Sequence, residues 1–231
     1  AVPLIALLAW HAWRQRFVLR LPQSRDRRLF LRGITLAAGG ALALEMINRL
    51  RLGGLAQLPR RFSGSYETGS FTGHFPTVSW IADRAPVVDS QTWQLLVDGQ
   101  VRQSLTFSYA HLLDMAEDEI TAVLDCTGGW YSEQIWRGVR VNRLLATVTV
   151  RDTAKSITFE SSTGYKRRFA IEEAGDFLLA HSVAGAPLTR GHGFPVRLVA
   201  PGYRGFEWVK LVGRISLHHS GPDWQTPLPL Q

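Results

Sequence analysis

The chain has 231 residues, 45% of them hydrophobic, and a formal net charge of +7, which allows one sizeable globular core plus a further segment and excludes a disordered chain or a miniature scaffold. Residues 1–50 set eight arginines against Asp26 and Glu45, a net of +6, whereas residues 51–231 sit close to neutral at +1. A nucleic-acid-binding module carries its excess charge on the folded domain, so this asymmetry argues against nucleic acid and for a membrane surface; a single cysteine excludes an intrachain disulfide, a CxxCH haem attachment and a zinc cluster built within the chain.

In chain order, Ala1 to Trp13 is apolar apart from His11 and ends in Trp10 and Trp13, the pattern of a spanning helix reaching an aromatic interface belt. Arg14, Arg16, Arg20, Arg25, Arg27, Arg28 and Arg32 follow with only Asp26 to oppose them, the excess expected of a cytoplasmic loop. A second apolar stretch, Gly33 to Ile47, is shorter than the roughly 20 residues a span needs, although Leu29 to Leu31 could extend it. It would carry everything after Arg49 outward. The run from Arg27 to Arg32 resembles a twin-arginine export signal, with Asp26 where that signal has Ser or Thr. Ala41-Leu42-Ala43 offers a small-residue cleavage site, but an apolar run ahead of the arginines favours an anchor. The expected organisation is membrane segments with a basic cytoplasmic loop over 1–50, a lead-in over 51–73, a globular domain over 74–219 and an extended tail over 220–231. The domain is expected at the cell membrane, on its extracytoplasmic (periplasmic) face.

Regular structure starts at Trp93. Trp93–Val97, Asp98-Gly99 and Val101–Leu105 predict a hairpin, because Asp-Gly supplies the positive φ of a tight primed turn. Ser108 then caps a short helix to Ala116. Further strands are predicted at Ile120–Asp125, Ser156–Glu160, Arg168–Ile171, Pro195–Ala200 and Glu207–Leu217, with short helices near Val141–Thr147 and Glu172–His181. Strands outnumber helices, so the fold class is α+β, mainly β, rather than a βαβ nucleotide fold.

Two segments carry chemistry. Cys126 ends a predicted strand and precedes Thr127-Gly128-Gly129-Trp130-Tyr131, where glycines let a bulky ligand approach the backbone. A thiolate suits a soft or high-valent metal; on residue type alone a buried inert cysteine is the stronger reading. The run from Arg190 to Lys210 spreads His192, Arg197 and Lys210 over glycine-dense loops and strand edges, a setting for holding a phosphorylated anion. By composition alone, an ordinary solvated strand pair weighs as much.

Together, Asp125-Cys126-Thr127-Gly128-Gly129-Trp130, Trp136-Arg137-Gly138-Val139 and the His192 to Lys210 run, in that order and spacing, resemble the molybdopterin domain of the sulfite oxidase superfamily, over about His74 to Leu217. The likeness is to its bacterial membrane-associated members, which include the catalytic subunit of periplasmic methionine sulfoxide reductase. The resemblance implies a molybdenum–molybdopterin (Mo-MPT) cofactor with Cys126 as the sole protein ligand to the metal. It implies that the pterin is gripped by His192, Arg197 and Lys210 and by the backbone at Trp208 and Val209. It further implies that Ser161 brings a hydroxyl to the cofactor and that Gly73 and His74 belong to the cofactor-contacting lead-in. Thr72 stands where sulfite oxidases carry an arginine, and His181 where they carry a tyrosine; an imidazole there suits proton transfer near neutral pH. The implied reaction is oxygen-atom transfer on a small sulfur or nitrogen oxo substrate, by sulfoxide reduction or sulfite-type oxidation. Electrons would be exchanged with a haem-containing or quinone-linked partner, since one cysteine cannot build a second redox centre. The alternative is a non-catalytic, membrane-anchored β-rich binding domain.

Overall fold

The computed structural model describes residues 25–52, 60–78 and 86–225. The apolar run from Ala1 to Trp13, the arginines at 14, 16 and 20, and the end of the tail from residue 226 lie outside the described residues. The chain divides into two compact units, Ala1–Gln57 and Leu58–Gln231.

In the first unit, helix α1 (Arg25–Leu52) runs for 28 residues. It corrects the expected loop: Arg25, Arg27, Arg28 and Arg32 are helical, because arginine and leucine are both good helix formers and no proline falls between Pro22 and Pro59. Every residue from Gly33 to Ile47 is exposed, Ile34, Leu36, Leu42, Leu44, Met46 and Ile47 included. Among the described residues no helix is long and apolar enough to cross a membrane. The exposed apolar stretch from 33 to 47 spans only about 22 Å at 1.5 Å per residue, against a hydrocarbon core of about 30 Å.

The second unit is mainly β, as its alternation of short apolar runs and turns predicts. One sheet is built on β5 (Trp130–Arg140), its longest strand. β4 (Asp118–Cys126) pairs antiparallel with it along its length. The other edge of β5 is shared by β1 (Tyr66–Glu67), parallel at its start, and β8 (Leu178–Val183), antiparallel at its end. β8 in turn pairs with β9 (Ala186–Pro187) and β10 (Arg197–Val199). The second sheet has the order β3 (Leu105–Ser108), β2 (Gln94–Gly99), β11 (Val212–His218), β6 (Ser156–Ser161), β7 (Lys166–Ala170). Short helices α2 (Tyr109–Met115), α3 (Val141–Val148) and α4 (Ile171–Ala174) complete it. Ser108 caps α2 as predicted, its side chain accepting from the His111 N–H.

Three expectations are corrected. Asp98-Gly99 is no two-residue turn: the β2–β3 register pairs Val97 with Leu105, so seven residues connect them. Gly99 instead extends β2 along β11, opposite Leu217, and the Asp98 carboxylate accepts from Arg214 and Ser216 of β11. Cross-sheet pairing outweighed local turn preference. The helix predicted over Glu172–His181 stops at Ala174, and Leu178–Val183 is strand β8. Buried on nearly every residue, β8 shows no alternation for a sequence pattern to find. The strand predicted from Glu207 begins only at Val212, and Gly205–Glu207 forms a single 3-10 turn.

Candidate cofactor site

Because successive side chains of a strand point to opposite faces, Leu124 and Cys126 share one face of β4 and Asp125 takes the other. All three are buried. The chain turns back after Cys126: Gly129 donates its N–H to the Cys126 carbonyl at 3.2 Å, and the Gly128 N–H points at the Cys126 sulfur at 3.4 Å. This amide contact fixes the direction of the sulfur at the strand end.

The sulfur faces a cavity lined by Phe75, Trp130, His192, Arg197, Gly205 and Lys210, together with Pro76, Val78 and Leu124. The structure thus brings Cys126 together with His192, Arg197 and Lys210 of the 190–210 run. Two glycines make the approach possible. A Cβ on Gly205 would lie 3.0 Å from the Asp125 carbonyl and 3.2 Å from the Cys126 Cα, and one on Gly193 would lie 3.0 Å from the Lys210 Cβ and 3.1 Å from the Arg197 Cβ. Gly205→Ala is accordingly expected to cost about 1–3 kcal/mol through overpacking, lowering Tm by roughly 2–10 °C for a domain of this size, measurable by thermal denaturation.

Arg197 is the outstanding group. It is 1% exposed, and no carboxylate among the described residues lies in ion-pair range of it. Its guanidinium sits between Trp136 and Trp208, 5.0 and 5.6 Å from their ring centroids, and donates to the His192 carbonyl at 3.2 Å, while its Nε is buried without a partner. Burial pulls its pKa down to about 9, opposed by the negative charge of the Cys126 sulfur. A buried cation with a spare donor and no carboxylate calls for an anion.

His192 is stacked on Phe75 at 4.1 Å, and both ring nitrogens are engaged, Nε2 with the Phe75 carbonyl and Nδ1 with the Thr189 hydroxyl, each at 3.1 Å. Burial holds its pKa below the usual histidine range, partly offset by the Phe75 carbonyl and reinforced by Arg197, Lys210 and His74. In the neutral ring, Nε2 donates to the carbonyl and Nδ1 accepts. Lys210 donates from Nζ to the carbonyls of Gly191 (2.7 Å) and Val78 (3.0 Å). His192 and Lys210 therefore tie the lead-in to the 190–210 run besides lining the cavity. Trp208 donates its indole N–H to the Tyr203 carbonyl, and the Val209 carbonyl accepts from Leu198.

Other sequence-predicted residues lie apart from this lining. Gly73 donates its N–H to the Gln134 side chain, and His74 is exposed, so this stretch meets the cavity through Phe75, Pro76 and Val78 instead. The Ser161 hydroxyl is engaged with Thr163 in the β6–β7 turn. His181 follows Ala180, which is registered with Arg197, at an irregularity in the β5–β8 ladder. Its Nε2 is buried without a partner, and burial, then the Arg137 charge, lowers its pKa; the structure does not bring it to the Cys126 cavity. Trp130 lines the cavity, whereas Tyr131 lies against Arg61. Sequence reasoning missed Trp136 as part of the site, although its place in the Trp136-Arg137-Gly138 motif was a signal. It also missed the polar cluster around Asp125, formed with Ser63, Ser65, Arg61 and Arg204, which no spacing pattern announces.

One thiol, a carboxylate-free buried arginine and a lysine about a single cavity, on a mainly-β frame, define a domain built to hold an anionic metal cofactor. Comparison with known proteins gives that class a family. The model of the oxidoreductase molybdopterin binding domain matches residues 82–224, and the chain belongs to this family, whose cofactor is molybdenum–molybdopterin. It is 32% identical to mitochondrial sulfite oxidase of Rattus norvegicus over 174 residues, 61% of this chain and 32% of that protein. It is 29% identical to the nitrate reductase [NAD(P)H] of Hordeum vulgare over 164 residues, 56% of this chain and 18% of that protein. Among solved structures it matches the sulfane dehydrogenase SoxCD of Paracoccus pantotrophus with a TM-score of 0.57 and 27% identity, covering 59% of this chain and 40% of that one. The chain spans about a third or less of the length of these curated relatives.

Proposed function

We propose that this chain is the catalytic domain of a molybdenum enzyme that transfers an oxygen atom to or from a small sulfur or nitrogen oxo compound, with Cys126 as the protein ligand to the metal. The observation that carries this reading is Arg197, a buried cation without a carboxylate, in the same cavity as the only thiol of the chain. The residues present fit the group: a soft anionic donor for the metal, and a desolvated guanidinium and an ammonium for the phosphorylated pterin. When bound, molybdenum–molybdopterin supplies two-electron redox chemistry at oxygen, and the protein supplies binding, orientation and electrostatics. The Gly128 N–H, aimed at the sulfur, orients it toward the cavity. Arg197 and Lys210 would hold the phosphate of the bound group, and Trp136 and Trp208 keep water from the guanidinium, so that its charge acts in a low dielectric.

We favour sulfoxide reduction, the activity class of the bacterial membrane-associated branch, over sulfite oxidation. Thr72, where sulfite oxidases carry an arginine, uses its hydroxyl in a local turn with the Gly69 and His74 carbonyls and brings no charge. Electrons pass to or from a haem-containing or quinone-linked carrier, and the domain works on the extracytoplasmic face of a membrane to which its N-terminal unit tethers it. The net charge of +6 over residues 1–50 and the exposed apolar stretch from Gly33 to Ile47 support that tether.

The test is molybdenum and pterin analysis of the full chain produced with its own N-terminal segment, followed by dye-coupled turnover in both directions. Near-stoichiometric metal, with reduced dye consumed at least tenfold faster with a sulfoxide than oxidised dye is reduced with sulfite, is the expected result. Metal-free protein from cells competent in cofactor synthesis overturns the enzyme reading, and faster sulfite turnover overturns the choice of substrate.

A further inference from the structure

Behind the strand that ends in Cys126 lies a cluster outside the residues that line the cavity. Asp125, 3% exposed, accepts from the Ser63 hydroxyl at 2.7 Å on one carboxylate oxygen and from the Ser65 hydroxyl at 2.8 Å on the other. Arg61 approaches the first oxygen at 3.3 Å and Arg204 the second at 3.7 Å. These partners come from two segments far apart in sequence. Ser63, Ser65 and Arg61 belong to the lead-in just before β1, and Arg204 opens the loop whose next residue, Gly205, sits against the Cys126 Cα. Arg61 is itself braced over the Tyr131 ring at 5.5 Å, and Tyr131 is the residue registered with Asp125 across β4 and β5. The Arg204 loop is pinned again from within, where its N–H donates to the Glu207 carboxylate at 3.0 Å.

Asp125 and Cys126 are consecutive and point to opposite faces, so any roll of the strand end that moves the carboxylate swings the sulfur the other way. A metal ligand tolerates displacement of only about 0.5 Å or 10–20°. A carboxylate held by two hydroxyl donors and flanked by two guanidinium charges, drawn from two separate segments, is a stiff restraint on that roll, and it lies outside the residues that line the cavity. We infer that Asp125, clamped by Ser63, Ser65, Arg61 and Arg204, is a positioning residue that fixes the direction of the Cys126 sulfur relative to the loop carrying Gly205. The inference rests on the reading of Cys126 as the metal ligand.

Asp125→Asn in the full chain tests it with two readouts. In metal-loaded protein the variant keeps molybdenum within about twofold of the wild type, but its Mo(V) electron paramagnetic resonance signal splits into more than one species. Asp125→Glu restores part of the single signal, and Glu133→Gln, a carboxylate on the same side of β4 that does not touch Asp125, leaves it unchanged. In cofactor-free protein, amide hydrogen exchange quickens at least tenfold at Cys126–Trp130 and Arg204–Trp208 and stays constant in β6 and β11. A single unchanged Mo(V) signal overturns the inference, as does exchange that quickens equally in both sheets, the mark of general destabilisation. Wild-type protein without molybdenum would sink the proposed function instead, and the exchange measurement would then decide the role of Asp125 by itself.

Discussion

Replacing Arg197 by methionine is expected to strip the protein of its pterin while leaving the cofactor-free fold almost as stable as before. The two effects separate because of how the guanidinium is buried. An uncompensated charge in the interior costs about 3–5 kcal/mol, and burial has drawn the Arg197 pKa down to about 9, the signature of that cost. Against it stand two stacked indoles, Trp136 and Trp208, worth about 0.5–2 kcal/mol each, and one charged hydrogen bond to the His192 carbonyl, worth about 1.5–3 kcal/mol. These nearly cancel. Methionine removes both sides of the balance and fills much of the same slot between the rings, so the Tm of cofactor-free protein should move by less than about 5 °C.

Cofactor retention has no such cancellation. The desolvated guanidinium meets a phosphate only in the loaded protein, and losing a charged hydrogen bond of about 1.5–3 kcal/mol lowers affinity roughly 10- to 150-fold. Pterin fluorescence of denatured, purified protein measures retention, and calorimetry of the cofactor-free form measures stability. A large fall in Tm with pterin retained would make Arg197 a structural arginine and remove the main support for the proposed function. Arg197→Lys is expected to resemble the methionine variant in pterin loss, because an ammonium cannot stack between two indoles or offer the same fork of donors.

The sequence made Cys126 and the basic residues around it legible and left the frame that carries them dark, for a physical reason in each case. The strand Ile120–Asp125 was visible from its apolar content, and β4 ends at Cys126, where the glycines take over. β5 escaped notice although it organises its sheet. Its inward face carries Trp130, Ser132, Gln134 and Trp136, and two polar residues in the middle erase the apolar alternation. Those residues are satisfied by a network no periodicity encodes. The Gln134 amide donates to the Gly69 carbonyl and the Ser132 hydroxyl and accepts from the Gly73 N–H, stitching the lead-in to the sheet. Arg197 illustrates the same limit. The sequence marks it as an anion-binding candidate, but its burial between two tryptophans distant along the chain, away from any carboxylate, appears only in the packed structure.

Cys126→Ser is expected to abolish molybdenum binding, and every turnover that depends on it, without unfolding the domain. The substitution changes one atom at a site 9% exposed, and the hydroxyl can still accept from the Gly128 N–H that points at the sulfur. Its stability cost should stay within about 1 kcal/mol, as for near-isosteric replacements that keep their hydrogen bond. A serine hydroxyl, unlike a thiol, does not ionise near neutral pH and is a hard donor, so it supplies neither the charge nor the softness that the metal requires. No second cysteine exists to take its place, and among the described residues no cluster of His, Cys, Asp or Glu is arranged to hold a metal. Molybdenum measured by plasma mass spectrometry should therefore fall from about one per chain to under about a tenth, while pterin, still gripped by Arg197 and Lys210, falls by less. That unequal loss is the informative outcome. Metal and pterin lost in parallel with a fall in Tm would mean that serine damaged the fold, whereas metal retained at full content would remove Cys126 from the coordination sphere and the oxygen-transfer reading with it.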